Sequence, residues 1–141
     1  TIRSSSAASD VYKRQVALLA AVETVTEAFP STGEAAELAV RFREAEQTEF
    51  LADGPLAVDI ALSAEAAALK AYESPVAGAA DVLLFPDLVS SNMAAISVEY
   101  VASLDPAHCI LGARAPLLIP SRSETAAARL SSIAFGAILS V

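Results

Sequence analysis

The chain has 141 residues, 55% of them apolar, with 17 acidic and 9 basic side chains and a net charge of −8. So acidic a chain excludes non-specific nucleic-acid binding, which needs a basic face; a phosphate has to be held locally, by one or two arginines and backbone N–H groups. No apolar run approaches the ~20 residues that span a bilayer, and the lone Cys109 forms neither an internal disulfide nor a metal cluster, which suits a reducing cytoplasm.

The first fifteen residues, "TIRSSSAASDVYKRQ", are Ser-rich and basic, unlike the rest of the chain. No apolar core of a secretory signal comes after their charges, and Asp10 and the short length argue against a transit peptide. Ser5–Gln15, "SSAASDVYKRQ", matches the in-frame translation of a common transposon-based sequencing adapter, so residues 1–15 are read as an artefactual tail and residues 16–141 as the domain. Without Arg3, Lys13, Arg14 and Asp10 the nine basic residues fall to 6 and the seventeen acidic to 16, a net of −10. Residues 16–141 make one modest domain. Its alanine surplus lifts the apolar content above the usual range and favours helices packed on something β-rich.

"VALLAAVE" (16–23) is an apolar run of buried-strand length, although its alanines also permit helix. In "FPSTGEAAELAVRFREAE", Thr32 or Ser31 is expected to cap a helix with Ala35, Leu38, Ala39 and Phe42 on one face. "EFLADGPLAVDIALS" reads as a brief strand, a break at Gly54-Pro55 and a short helix over 58–62, and residues 63–71 as another helix capped by Ser63. "ADVLLFPDL" (80–88) is the clearest buried strand, and residues 90–104 read as a helix starting near Ser90, Ser91 or Asn92. "HCILGA" and "APLLIPS" look like two further strands. "SETAAARLSSIAFGAILS" reads as a helix with an apolar stripe of Leu130, Ile133, Ala134 and Ala137.

Strands alternating with helices indicate an α/β fold: a largely parallel sheet with flanking helices. In such sheets ligands gather beyond the carboxyl ends of strands. Chemistry is therefore expected at Glu23, Asp53-Gly54-Pro55, Pro86-Asp87, Asn92 and Ser121-Arg122. Cys109 is read as a buried structural thiol and His108 as structural, because neighbours on a strand point to opposite faces and could not easily work together.

Five segments in order, "ALLAAVE", "STGEAAELA", "DGPLAVDIALS", "SPVAGAADVLLFPDL" and "LGARAPLLIPSRSETAAARLSSIA", carry a resemblance. Over nearly all of residues 16–141 the chain resembles the phosphate acetyl/butyryl transferase family, its butyryl-type and hydratase-fused members above all. The resemblance implies transfer of an acyl group between phosphate and coenzyme A: acyl-CoA + phosphate ⇌ CoA + acyl phosphate. Coenzyme A is then a substrate, with no tightly bound cofactor and no metal. The implied fold is similar to isocitrate and isopropylmalate dehydrogenases, two α/β domains around a cleft, in a cytoplasmic protein that is commonly a dimer. The matching portion is the later part of the family's chain. The fold is thus expected to be incomplete, and the fragment truncated and inactive alone.

Residue by residue, the resemblance places Ser121 and Arg122 on the family's Ser-Arg motif. A guanidinium binds phosphate bidentately and stays charged, and a serine hydroxyl donates to developing negative charge. The carboxylate assigned to thiol deprotonation in acetyl-type relatives falls on Ala128, which accepts no proton, and Glu124 is one turn away from that position; the base is unassigned. Asp87 and Asn92 match the "PD…N" segment and are read as contacting substrate or as helix caps. Ser91 and Ile96 stand where the family commonly has glycine and lysine. Gly54 and Pro55 are read as shaping the cleft, with Asp59 lining it. Two other readings compete: a dehydrogenase-like relative, for which no nucleotide site or metal cluster is found, and a non-catalytic α/β module associating through its Ala-rich helices.

Overall fold

The computed structural model describes residues 13–45 and 49–140, and the chain divides into two compact units, residues 1–91 and 92–141. Residues 1–12 of the expected tail lie outside the described residues.

The first unit is a three-stranded sheet with helices on both faces. Strand β1 (Arg14–Leu19) lies centrally, parallel to β2 (Phe50–Leu56) on one side and to β3 (Val82–Leu84) on the other. Helix α1 (Pro30–Glu44) links β1 to β2; α2 (Val58–Leu62) and α3 (Ala64–Leu69) lead on to β3. Parallel neighbours need such crossovers, because a hairpin turn cannot join them.

The strand period of two sorts the core. Ala17 and Leu19 face Leu56, Ile60, Ala61, Ala67 and Val76, whereas Leu18 packs with Ala35 and Ala39 of α1, flanked by Val16, Leu38 and Phe42. The expected apolar face of α1 is therefore the one buried. Fully burying Leu18, Leu56 and Ile60 stabilises this unit by roughly 1.5–3 kcal/mol each.

Several expected boundaries shift. β1 begins at Arg14, two residues before Val16, because Gln15 exchanges bonds with Asp81: its N–H donates to the Asp81 carboxylate and its carbonyl accepts the Asp81 N–H, each at 2.8 Å. β2 does not break at Gly54-Pro55. It runs on to Leu56 through a cis Gly54–Pro55 peptide, with a bulge against β1 between Ala17 and Leu19. Helix α1 starts at Pro30 without a side-chain cap, since the Thr32 hydroxyl, inside its first turn, donates to the Phe29 carbonyl at 2.7 Å and accepts the Thr26 N–H. Ser63 does cap α3, accepting the Ala66 N–H. β3 is short and half exposed, Val82 at 42% and Leu84 at 45%, because it is an edge strand rather than a central one.

Helix α4 (Leu88–Val101) leaves the first unit and has no buried residue. In the second unit the two expected strands reduce to one antiparallel bridge, Ile110 to Leu117. Helix α5 (Ala126–Ile138) is capped by Thr125, whose hydroxyl accepts the Ala128 N–H at 3.1 Å. Its buried face is Ala128, Ser132 and Gly136, not the expected stripe: Leu130 is 66% and Ile133 56% exposed. Small side chains four residues apart let the 108–118 segment come close. The Ser132 hydroxyl accepts the His108 N–H at 2.8 Å, and a Cβ at Gly136 would stand 3.0 Å from Leu118.

Candidate functional site

At the carboxyl ends of the first unit's strands, charged groups gather around Lys70. Its ammonium lies 3.0 Å from the Asp59 carboxylate and 3.6 Å from Glu23, so a residue beyond the end of β1 and one in the first turn of α2 share one cation. The Lys70 hydrogen bond, helped by the Ile60 N–H, holds the Asp59 carboxyl below the usual carboxylate range. In return Asp59 raises Lys70. Burial pushes the Tyr72 phenol up, and its hydroxyl donates to the Pro55 carbonyl at 3.2 Å. Pro55 is buried, and Gly54 is pressed against Leu18. An open groove of about 240 Å³ lies beyond β1 and β3, lined by Leu19, Ser31, Glu34, Phe85 and Pro86 among others.

Asp87 caps α4. Its carboxylate accepts the Ser90 N–H at 2.7 Å, and that bond lowers its pKa. Asn92 sits exposed one turn further along the helix.

In the second unit Ser121 and Arg122 form an exposed turn just ahead of α5, and Glu124 holds that turn from inside. The Glu124 side chain is fully buried. Its Oε1 accepts the Ser121 N–H at 2.6 Å and lies 3.5 Å from His108 Nε2; its Oε2 is buried with no hydrogen-bond partner among the described residues. From α5 the Arg129 guanidinium reaches back to the Ser121 and Arg122 carbonyls at 3.4 and 3.3 Å. The Ser121 and Ser123 hydroxyls stand 2.9 Å apart. A larger groove of about 400 Å³ lies between the 111–116 loop and the end of α5; Arg114 lines it, and Ser121 and Arg122 do not.

Sequence reasoning named Asp59 and Glu23 but not the lysine that joins them. It also missed Glu124 and Arg129 as the groups that shape the Ser-Arg turn. A signal for Glu124 was present: S-x-x-E is a capping-box pattern, in which the acidic side chain accepts the serine N–H. Cys109, expected buried, is partly exposed. Among the described residues no helix is long and apolar enough to cross a membrane.

The family model described as "Phosphate acetyl/butaryl transferase" matches residues 1–137. A phosphate acetyltransferase of Rhizobium meliloti is 44% identical over 88% of this chain and 39% of its own length. A probable phosphate butyryltransferase of Bacillus subtilis is 42% identical over 85% of this chain and 40% of its own. Among solved structures, a branched-chain phosphotransacylase from Enterococcus faecalis V583 superposes with a TM-score of 0.80 at 31% identity, covering 90% of this chain and 45% of that one. The chain thus spans less than half the length of the relatives it matches. With the family model matched from residue 1 to residue 137, the chain belongs to the phosphate acetyl/butyryl transferase family.

Proposed function

We propose that the protein carrying this chain is a phosphate acyltransferase, moving an acyl group between phosphate and coenzyme A. The observation that supports the reading is the Ser121-Arg122 turn: an exposed guanidinium on a backbone tied down by Glu124 and Arg129.

In the direction of thioester synthesis, the CoA thiol gives up its proton and its sulfur attacks the carbonyl carbon of an acyl phosphate. A tetrahedral intermediate forms, the carbonyl returns, and phosphate leaves with the electrons of the C–O bond. Arg122 binds the phosphate oxygens bidentately through the planar fork of its guanidinium. The Ser121 hydroxyl donates to the oxygen on which negative charge develops. Neither group takes the thiol proton. Ala128, on the first turn of α5, is 2% exposed and faces inward, so that position offers neither an acceptor nor access to solvent.

In this reading Asp59 and the Gly54-Pro55 bulge shape the substrate side of the first unit, and Asp87 and Asn92 are substrate contacts. CoA is a substrate that comes and goes, the working protein is a homodimer in the cytoplasm, and the chain by itself is inactive. The test is acyl-phosphate-dependent consumption of CoA thiol by the full-length protein, with the chain alone alongside. Thioester formation that is lost in Arg122→Ala supports the proposal. No thioester from the full-length protein, with either acetyl or butyryl phosphate, overturns it in favour of a non-catalytic α/β module.

A further inference from the structure

We propose that Glu124 is the positioning residue of the Ser121-Arg122 turn, its buried carboxylate fixing the backbone from which Arg122 meets phosphate; this role rests on the phosphate acyltransferase reading above. A carboxylate beside an anion site is at first sight misplaced, since its charge repels the ligand. It is also expensive to bury. Both objections point to geometry as the reason for its presence.

The geometry supports that reading. Oε1 accepts the Ser121 N–H at 2.6 Å, a short bond of the charge-assisted kind. The Glu124 N–H donates in turn to the Ser121 carbonyl at 3.2 Å, so the two residues are tied twice. Arg129 adds bonds to the carbonyls of Ser121 and Arg122 from the first turn of α5. One amide and two carbonyls on either side of Arg122 are thereby fixed, and its guanidinium is left only side-chain torsions to search.

His108 completes the arrangement, with Nε2 3.5 Å from the same carboxylate oxygen and its backbone held by Ser132. The carboxylate is thus enclosed between the turn and the 108 segment, shut away from solvent. Oε2, buried and without a partner among the described residues, makes no contact that would explain the residue otherwise.

The experiment is a titration of the isotope-labelled full-length protein with inorganic phosphate, followed at the Ser121 and Arg122 amides by NMR, for wild type, Glu124→Gln, Glu124→Ala and Glu124→Asp. Gln keeps an acceptor for the Ser121 N–H and sheds the repulsive charge, so its phosphate affinity should stay within about threefold of wild type. Ala removes the acceptor: the Ser121 amide proton should move upfield and affinity fall at least about tenfold. Should the Ala variant fail to fold, Asp gives the same reading, because its shorter side chain withdraws the carboxylate from the Ser121 N–H. A Ser121 amide that stays in place in Ala and Asp, with wild-type phosphate affinity, overturns the positioning role alone. A wild-type full-length protein whose Ser121 and Arg122 amides ignore phosphate overturns the phosphate reading itself, and the role with it.

Discussion

A Cβ added at Gly54 would lie 2.6 Å from both the Cβ and the carbonyl oxygen of Leu18, where β2 bulges against the central strand. Neither neighbour is free to give way, since Leu18 is buried against α1 and its backbone belongs to the sheet. Gly54→Ala should therefore cost about 2 kcal/mol or more, through overpacking and a displaced bulge. Gly33, inside α1, has open space where its Cβ would go, and Gly33→Ala should stabilise by about 0.5–1 kcal/mol through helix propensity. Urea unfolding of the two variants beside wild type checks both signs at once. Equal effects would show that Gly54 is tolerated for reasons other than its contact with Leu18.

Lys70 and Asp59 set a pH window for the first unit. The folded carboxyl of Asp59 is lowered, so its contribution is present above the usual carboxylate range and is lost as pH falls through the folded value, below about pH 4. Lys70 is raised, so its contribution is complete below the ordinary lysine range and disappears as pH climbs beyond it, above about pH 10.5. Both groups are exposed and screened by solvent, which keeps the effect small and salt-sensitive. The contribution of this pair should be flat between these limits, and Lys70→Met should flatten the acid limb relative to wild type. Thermal melts from about pH 2 to pH 12 at low and high salt check both limits; an acid limb unchanged in Lys70→Met would detach Asp59 from its lysine.

The parallel sheet was legible because β1, buried on both faces, reads as a continuous apolar run. That Ala35 and Ala39 are buried, with Leu38 and Phe42 packed beside them, was legible from helical spacing alone. Hydropathy misled at α5. Its most apolar residues, Leu130 and Ile133, point outward, and the face that packs is Ala128, Ser132 and Gly136. What decides such a face is how closely a backbone can approach, which is a matter of side-chain size and not of apolarity. β3 misled for another reason. Val82-Leu83-Leu84 is apolar enough for a central strand, yet its place in the sheet depends on which strands pair, and no local pattern records that. The Ser-Arg turn was legible as a motif, whereas Arg129, which grips it from eight residues on, carries no local signature at all.

Ser132 shows what that small-residue face does. The residue is 2% exposed, and its hydroxyl accepts the His108 N–H at 2.8 Å. Ser132→Ala leaves that N–H without its acceptor and should cost about 1–2 kcal/mol. Ser132→Val adds bulk on the packed face and should cost more, by about 1 kcal/mol or above. Amide hydrogen exchange at His108 is the local readout: it should accelerate in Ser132→Ala. If global stability falls while the His108 amide stays protected, the loss comes from packing and not from this hydrogen bond.

Arg122 carries the heaviest load in the proposed chemistry, and charge can be separated there from shape. Arg122→Lys keeps a cation on a comparable stem but loses the planar fork that bonds two phosphate oxygens together. Arg122→Ala loses both. In the full-length protein, thioester formation from CoA and butyryl phosphate should fall on the order of 100-fold or more in Arg122→Ala. Arg122→Lys should retain an intermediate rate, with the loss expressed mainly in KM for phosphate in the reverse direction if the guanidinium grips ground and transition states alike. A kcat that drops while KM for phosphate holds would mean that Arg122 bonds the phosphate oxygens mainly as the C–O bond breaks and charge builds on them. Unchanged rates in both variants would remove Arg122 from the phosphate site. The cation would then have to come from elsewhere in the chain, and Arg114, lining the larger groove of the same unit, would be the next arginine to substitute.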